Sequence, residues 1–429
     1  MTDTAAPRPL GSRDVLRIPD FRKLFAAQAI SDIGDGMTYL ALYLLVLQNT
    51  GSTAVIAVMA ILIAVPPVTI GLLAGAYADR LDRRRIMIVS DGLRALIVGS
   101  IVLFQAPVAM PIVLALACLQ AVVGTFFSPA RAALVPRVVP ANGLLAANSL
   151  GQMSRIIGNV VGVAFTGAIA GAAGQVWPAF LLDGLTFVAS VLIVLRVTRT
   201  VGVIDAVTTR AARDRGLRGS IGDGLRVIGH SRPLVATITG VTVTTLGVGA
   251  IEVLFVPFVV RDLAANPIWV GPIEGSQSAS MILASVALGA LGARFRLSSL
   301  FVGGLFGVAA CIALLSVAGN VWMVMAALFA VGWFVMPVQV STTTIVQQAT
   351  TDEIRGRAVG TLNAVVQTAQ ILSMAAAGIV AASIGIPAVF RIAAAITALG
   401  GVLALILFRT TPAAQPAAST DAPDAAIAI

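Results

Sequence analysis

Charge is scarce in this sequence. Asp, Glu, Lys and Arg make up only 11% of its 429 residues, against about 25% in a soluble domain. With 58% hydrophobic residues, most of the chain belongs in lipid rather than water. Lysine is almost missing: Lys23 is the only one, and the remaining basic side chains are Arg. The net charge of +9 does not describe a nucleic-acid face, because the Arg residues fall in short loops between apolar runs. That pattern suits loops facing anionic lipid. The single histidine, His230, lies between apolar runs and reads as a solvated residue. Cys118 and Cys311 sit inside apolar runs, without metal spacing or a disulfide framework. No metal and no cofactor is expected. Phe and Trp are few, and aromatic stripes more often face lipid than ligand. A Walker motif and a catalytic triad are both missing, which argues against an ATPase or a hydrolase and predicts no enzyme. The amino-terminal stretch is polar and basic rather than apolar, so no cleavable signal is expected.

Long apolar runs are what the chain does have. A spanning helix needs about 20 mainly apolar residues, and twelve such runs are present. They cover Phe21 to Gln48, Thr53 to Ala78, Arg85 to Phe104, Ala109 to Phe127, Asn142 to Ala172 and Trp177 to Leu195. After a polar stretch, Arg196 to Arg232, come Leu234 to Val260, Ile268 to Ala293, Ser299 to Val317, Val321 to Val346, Arg357 to Ile384 and Ala388 to Phe408. The expected organisation is a segment 1–20, a six-helix half 21–195, a central loop 196–232, a second half 233–409 and an Ala- and Pro-rich disordered tail 410–429. Pro66, Pro67, Pro257 and Pro337 permit helix bends.

The basic residues give an orientation. Arg8, Arg13, Arg17, Arg22 and Lys23 precede or open the first run. Alternate connections then hold Arg80, Arg83, Arg84 and Arg85, next Arg131 and Arg137, the central stretch, Arg294 and Arg296, and lastly Arg355 and Arg357. The opposite connections hold little that is basic except Arg261 and Arg391. Both termini are therefore expected on the cytoplasmic side of a plasma membrane.

The densest charge cluster is GAYADRLDRRRIMIVSD, Gly75 to Asp91, between the second and third runs. Its order Gly75, Asp79, Arg80, Arg83, Arg84 resembles the loop signature of the major facilitator superfamily, G-x-x-x-D-R-x-G-R-R, with Asp82 standing where the family has Gly. A shift of about 215 residues also aligns the two halves. It places Asn148, Gln152 and Arg155 on Asn363, Gln367 and Gln370, and Gly34 on Gly249. Two six-helix halves repeated in parallel are the architecture of that superfamily. The resemblance covers nearly the whole chain and implies an all-α membrane fold with a substrate site between the halves near the midplane. SDIGD at Ser31 to Asp35, SPARAALVP at Ser128 to Pro136, ANSL at Ala147 to Leu150 and IRGRAVG at Ile354 to Gly360 are similar to the drug-efflux branch with macrolide and tetracycline exporters and the enterobactin exporter. Two efflux signatures depart. Gln120 precedes Gly124 where antiporters often have Arg. GNVVGV from Gly158 has Asn159 in place of Pro and Val163 in place of Gly.

An ionisable residue within the bilayer costs roughly 2.5 to 3.5 kcal/mol on insertion scales and is a functional candidate by default. Asp32 and Asp35 share a helix face, and Asp35 lies about 20 Å from the helix start at Phe21, near the midplane. Arg155 enters the fifth run to a similar depth, and the resemblance puts both helices on the cavity, so an Asp35–Arg155 pair is expected. Glu252 and Glu274 are the corresponding carboxylates of the second half, with Glu274 near the outer end of its helix. A carboxyl group removed from water holds a proton more readily. Asp32, Asp35, Arg155, Glu252 and Glu274 are thus the candidates for proton coupling. Asn148, Gln152, Gln120, Asn363, Gln367 and Gln370 are the candidate substrate contacts. Asp183 reads as satisfying a helix end or a neighbouring polar group. Asp91 and Arg94 read as an intrahelical pair supporting the Arg-rich loop. By the resemblance, the loop residues Gly75, Asp79, Arg80, Arg83 and Arg84, with Asp91 and Arg94, form a gate, with Asp79 meeting Arg355 to Arg357.

These residues lead to a monomeric secondary transporter that exports a cationic or neutral amphipathic small molecule in exchange for protons. Export of a siderophore or another metabolite is the alternative cargo. A non-transporting receptor or lipid-handling protein on the same scaffold is the alternative class, which the embedded carboxylates disfavour.

Overall fold

The computed structural model describes residues 10–71, 74, 77, 81–198, 229, 231–291, 294–350 and 352–409, with the side chains of 291, 352, 353 and 355–357 outside the description. Gly75, Asp79, Arg80 and His230 lie outside the described residues, as do the central stretch and the tail. So do the side chains of Arg355 and Arg357, and with them the expected contact between Asp79 and the eleventh helix.

Among the described residues the fold is helical throughout. A short helix, Ser12–Leu16, precedes twelve long ones. These are α1 Pro19–Thr50, α2 Thr53–Thr69, α3 Arg83–Ile101, α4 Met110–Val138, α5 Leu144–Ala173 and α6 Trp177–Val194. The second set is α7 Arg232–Pro257, α8 Val270–Leu291, α9 Leu297–Leu315, α10 Val321–Ala349, α11 Asp352–Ile384 and α12 Ile386–Arg409. Nine helices among the described residues are long and apolar enough to cross a membrane. The others are α2, whose described part is 17 residues, α8, and α3, which carries Asp91 and Arg94.

Local signals set the boundaries. Gly51 ends α1 in the left-handed region at φ 60, where a side chain would be strained. Ser52 then caps α2 by accepting from the Val55 amide at 3.4 Å. Asp82 caps α3, its Oδ1 accepting from the amides of Arg84 at 2.9 Å and Arg85 at 3.3 Å. The acidic residue that departs from the family signature is thus a helix cap. Helix α4 differs from the sequence expectation. It does not stop at Phe127 but runs on to Val138 with Pro129 and Pro136 inside it. The apolar run ends at Phe127, yet the helix continues past Arg131, whose side chain is received by a polar partner within the bundle, Gln28.

Helix pairing repeats between the halves. In the first half α1 packs on α5 and α6, α3 on α4 and α6, and α2 on α4. In the second, α7 packs on α11 and α12, α9 on α10 and α12, and α8 on α10. The halves meet through α2 with α11 and α5 with α8, again related by the repeat.

Among the described residues, four hydrogen bonds join the halves, all at the end of the bundle opposite the amino terminus. Thr53 Oγ1 donates to the Gly378 carbonyl at 3.0 Å and Tyr43 Oη to the Glu252 carbonyl at 3.1 Å. Asn266 Nδ2 donates to the Gly171 carbonyl at 3.4 Å and Arg261 Nη1 to the Gly51 carbonyl at 3.3 Å. Small residues make the seal tight. A Cβ on Gly271 would lie 2.5 Å from Ala164 Cα, and one on Gly167 2.7 Å from the Pro267 carbonyl oxygen.

Candidate functional site

Helices α1 and α5 touch at backbone distance because the contact is made by glycine. A Cβ on Gly158 would lie 2.6 Å from Asp32 Cβ, and one on Gly162 2.6 Å from the Met37 nitrogen. Gly36 in turn faces the Asn159 backbone, where a Cβ on Gly36 would lie 2.8 Å from Asn159 Cα. These are the two glycines that the GNVVGV stretch keeps. Val163, where the family has Gly, is fully buried in the core instead. The close approach turns the stripe Asn148, Gln152, Arg155, Asn159, spaced at helical intervals, away from α1. Arg155 and Asn159 at its deeper end line a cavity.

That cavity, of about 760 Å³, lies on the amino-terminal side of the seal. Its wall is formed by α1 to α5 and carries Gln28, Asp32, Asp35, Gln120, Arg131 and Arg155. Asn148, Gln152, Asn363 and Gln367 are exposed side chains, and Gln370 is half-buried. These five lie outside the lining residues.

The carboxylates of α1 have different partners from those expected. Asp35 does not pair with Arg155. It receives the Nη2 of Arg94, from α3. Arg94 also stands 3.8 Å from Asp91 Oδ1 and stacks over the Phe187 ring at 4.1 Å. Asp91 is fully buried and accepts from Ser190 Oγ at 2.6 Å. The Asp91–Arg94 pair therefore does not support the Arg-rich loop. It ties α3 to α6 and aims one guanidinium at α1. Sequence reasoning missed this because the spacing i, i+3 accounted for Arg94 locally, whereas its nearer partner is 59 positions away. Arg94 lies beside Gly124 of α4: a Cβ there would sit in ordinary contact, 3.5 Å from Arg94 Nε. The arginine that α4 lacks at Gln120 is thus replaced beside Gly124 by one from α3.

Asp32 accepts from Ser154 Oγ at 2.6 Å. Its charge is felt by two arginines, Arg131 and Arg155. Arg131, expected in a loop, is a cavity residue: its Nη1 donates to Gln28 Oε1. Gln28 is buried and donates in turn to the Gly151 carbonyl at 3.3 Å. Gln120 is buried, and neither of its amide atoms is bonded among the described residues.

The other candidates lie apart. Asp183 is fully buried and accepts from Thr38 Oγ1 at 2.5 Å and Thr186 Oγ1 at 3.0 Å, the structural role expected for it. Glu252 and Glu274 lie near each other and near Tyr39 and Tyr43, at the sealed end. Arg83 Nη1 donates to the Ala133 carbonyl at 3.3 Å. Arg84 donates to the carbonyls of Val194 at 3.1 Å and Leu195 at 2.6 Å. Both fasten α3 to helices of its own half, and Arg84 satisfies carbonyls at the α6 end.

Comparison with known proteins agrees with this architecture. The multidrug efflux pump Tap of Mycolicibacterium fortuitum is 25% identical over 90% of this chain and 95% of its own. Macrolide efflux protein A of Streptococcus pyogenes is 24% identical over 63% of this chain and 66% of its own. Among solved structures, the nucleoside transporter NupG superposes with a TM-score of 0.75 at 12% identity, covering 91% of this chain and 99% of that one. A bacterial homologue of the iron transporter ferroportin gives 0.71 at 14% identity, covering 92% and 99%. Residues 11–428 match the family MFS_3, transmembrane secretion effector. With twelve long helices in two repeated halves among the described residues, the chain belongs to that transmembrane secretion effector family of the major facilitator superfamily.

Proposed function

We propose that this protein is a plasma-membrane secondary transporter, not an enzyme, that exports small amphipathic molecules by alternating access coupled to proton entry. The efflux pumps among its relatives support the direction. The observation that carries the mechanism is a charged cavity closed at one end of the bundle, with the Asp35–Arg94 pair on its wall.

In this reading both termini are cytoplasmic, the sealed end faces outward, and the structure is the inward-open state. Residues 1–20, 196–232 and 410–429 flank and join the halves 21–195 and 233–409. The chain acts as a monomer.

Arg94 has two carboxylates in reach, Asp35 facing the cavity and Asp91 in the core. While Asp35 is ionised, the guanidinium is shared between them. A proton arriving at Asp35 from the outward-open cavity removes one partner, and Arg94 falls back on Asp91. Helix α1 is then free to shift against α3. Opening inward returns Asp35 to water, releases its proton and restores the pair. Cargo and proton drive the cycle only through different affinities for the two states. Arg155, Glu252 and Glu274 take secondary parts, Arg155 beside Asp32 and the two glutamates at the outer seal.

The test is transport by Asp35→Asn in proteoliposomes. The variant is expected to lose uphill, proton-driven efflux and keep downhill exchange. A variant that concentrates cargo as well as the wild type sinks this coupling role and moves it to Glu252.

A further inference from the structure

The charges on the cavity wall are not evenly matched. Arg94 has Asp35 and Asp91. Arg131 and Arg155 have no carboxylate within salt-bridge distance among the described residues, and they share the influence of a single one, Asp32. Asp32 is already engaged by Ser154. Arg131 is held instead by a neutral acceptor, Gln28, which is itself fixed to the α5 backbone at Gly151.

A guanidinium oriented by an amide keeps its full charge for another partner. Arg155, an exposed side chain, lines the same cavity as Arg131, and two guanidinium groups on one cavity wall within the bilayer repel each other unless an anion lies between them. Arg suits this task because its fork matches the oxygens of a carboxylate or phosphate.

A second feature of the same wall points to a ligand. Gln120 is 8% exposed, lines the cavity, and among the described residues finds a partner for neither its donor nor its acceptor. It lies eleven residues before Arg131 on α4, three helical turns away on the same face, or about 16 Å along the axis. Between them the wall presents Ala121, Gly124, Thr125, Phe127, Ser128 and Pro129.

We propose that Arg131 and Arg155 form an anion subsite in the cavity, and that the cargo is an amphipathic molecule bearing a carboxylate or phosphate group. Its apolar body lies along α4 toward Gln120, which hydrogen-bonds a polar group at the deep end. This rests on the export reading and refines it. The expectation of a cationic or neutral cargo is replaced, because the unmatched charge at this wall is positive. Asp32 acts as the resident counter-charge when the subsite is empty.

The test uses two water-soluble probes of equal chain length, octyl phosphate and octyltrimethylammonium, titrated calorimetrically into the purified full-length protein. Octyl phosphate is expected to bind the wild type, with inorganic sulfate competing. Arg131→Gln and Arg155→Gln are each expected to weaken it at least about tenfold, while Asp32→Asn leaves it as tight or tighter. Binding of the ammonium probe stays level or improves in the Arg variants, which also shows that they are folded. If an Arg variant does not fold, sulfate competition in the wild type decides. Equal octyl phosphate affinity in wild type and variants, or no competition by sulfate, overturns the subsite. Displacement of octyl phosphate by phosphatidylglycerol in nanodiscs, dependent on the same arginines, assigns the subsite to lipid and overturns the cargo. Counterflow of labelled octyl phosphate in proteoliposomes separates the two readings. Arg-dependent binding without counterflow leaves the anion subsite standing and removes the transport function.

Discussion

Replacing Arg94 by Gln tests which carboxylate the guanidinium mainly serves. The side chain is 10% exposed and meets two acids of different burial: Asp35 at 46% exposure, open to the cavity, and Asp91 at 0%. Removing one partner of a buried pair costs about 3 to 5 kcal/mol, because the other charge stays desolvated. That cost falls mostly on Asp91. The Asp35 arm is screened by cavity water and is worth about 1 kcal/mol or less, and the stacking on Phe187 adds roughly 1 kcal/mol. Arg94→Gln should therefore lower stability by about 4 kcal/mol. Asp35→Asn should change it by about 1 kcal/mol or less, since Arg94 keeps Asp91. The double variant Arg94→Gln, Asp91→Asn should regain most of the loss, because no buried charge is left uncompensated. Thermal unfolding of the purified protein, in a Cys118→Ser background that leaves one thiol, can be followed by a thiol-reactive dye at Cys311, which is buried in the core. The reasoning is refuted if Asp35→Asn falls as far as Arg94→Gln, or if removing Asp91 gives no rescue.

Two further outcomes are expected from the fold. Asp82→Ala should cost about 1 kcal/mol through the lost α3 cap, and Asp82→Gly, the residue of the family signature, only a few tenths. Unfolding midpoints in the order wild type, Gly, Ala check this, and equal midpoints for Ala and wild type reject it. At the seal, Gly271→Leu has no space against Ala164 and should force α8 from α5. Spin labels at Ala172 and Ala265 should report a longer distance, and an unchanged distribution means the seal is not held by this contact.

The number and order of helices were legible in the chain because lipid demands a long apolar run for each span. Eleven of the expected runs agree with the helices within a few residues wherever the structure describes them, and α4 alone is longer by about three turns. The repeat was legible for the same reason: polar residues are so scarce that Asn148, Gln152 and Arg155 facing Asn363, Gln367 and Gln370 stands out. Depth along a helix follows from counting, so Asp32, Asp35 and Arg155 were found.

Which charge meets which was decided by tertiary structure alone. A residue's distance along its own helix fixes its depth but not the helix beside it. Asp35 and Arg155 share a depth, yet glycines bring α1 so close to α5 that Asp35 faces α3 instead. Arg94 was assigned to Asp91 by local spacing, although its reach across the bundle joins it to Asp35. Arg131 followed the end of an apolar run and read as a loop residue, whereas Gln28 of another helix supplies a partner inside the bundle. A buried charge takes its partner from whichever helix packs against it, and that neighbour is set by the close packing of small residues between helices distant in sequence.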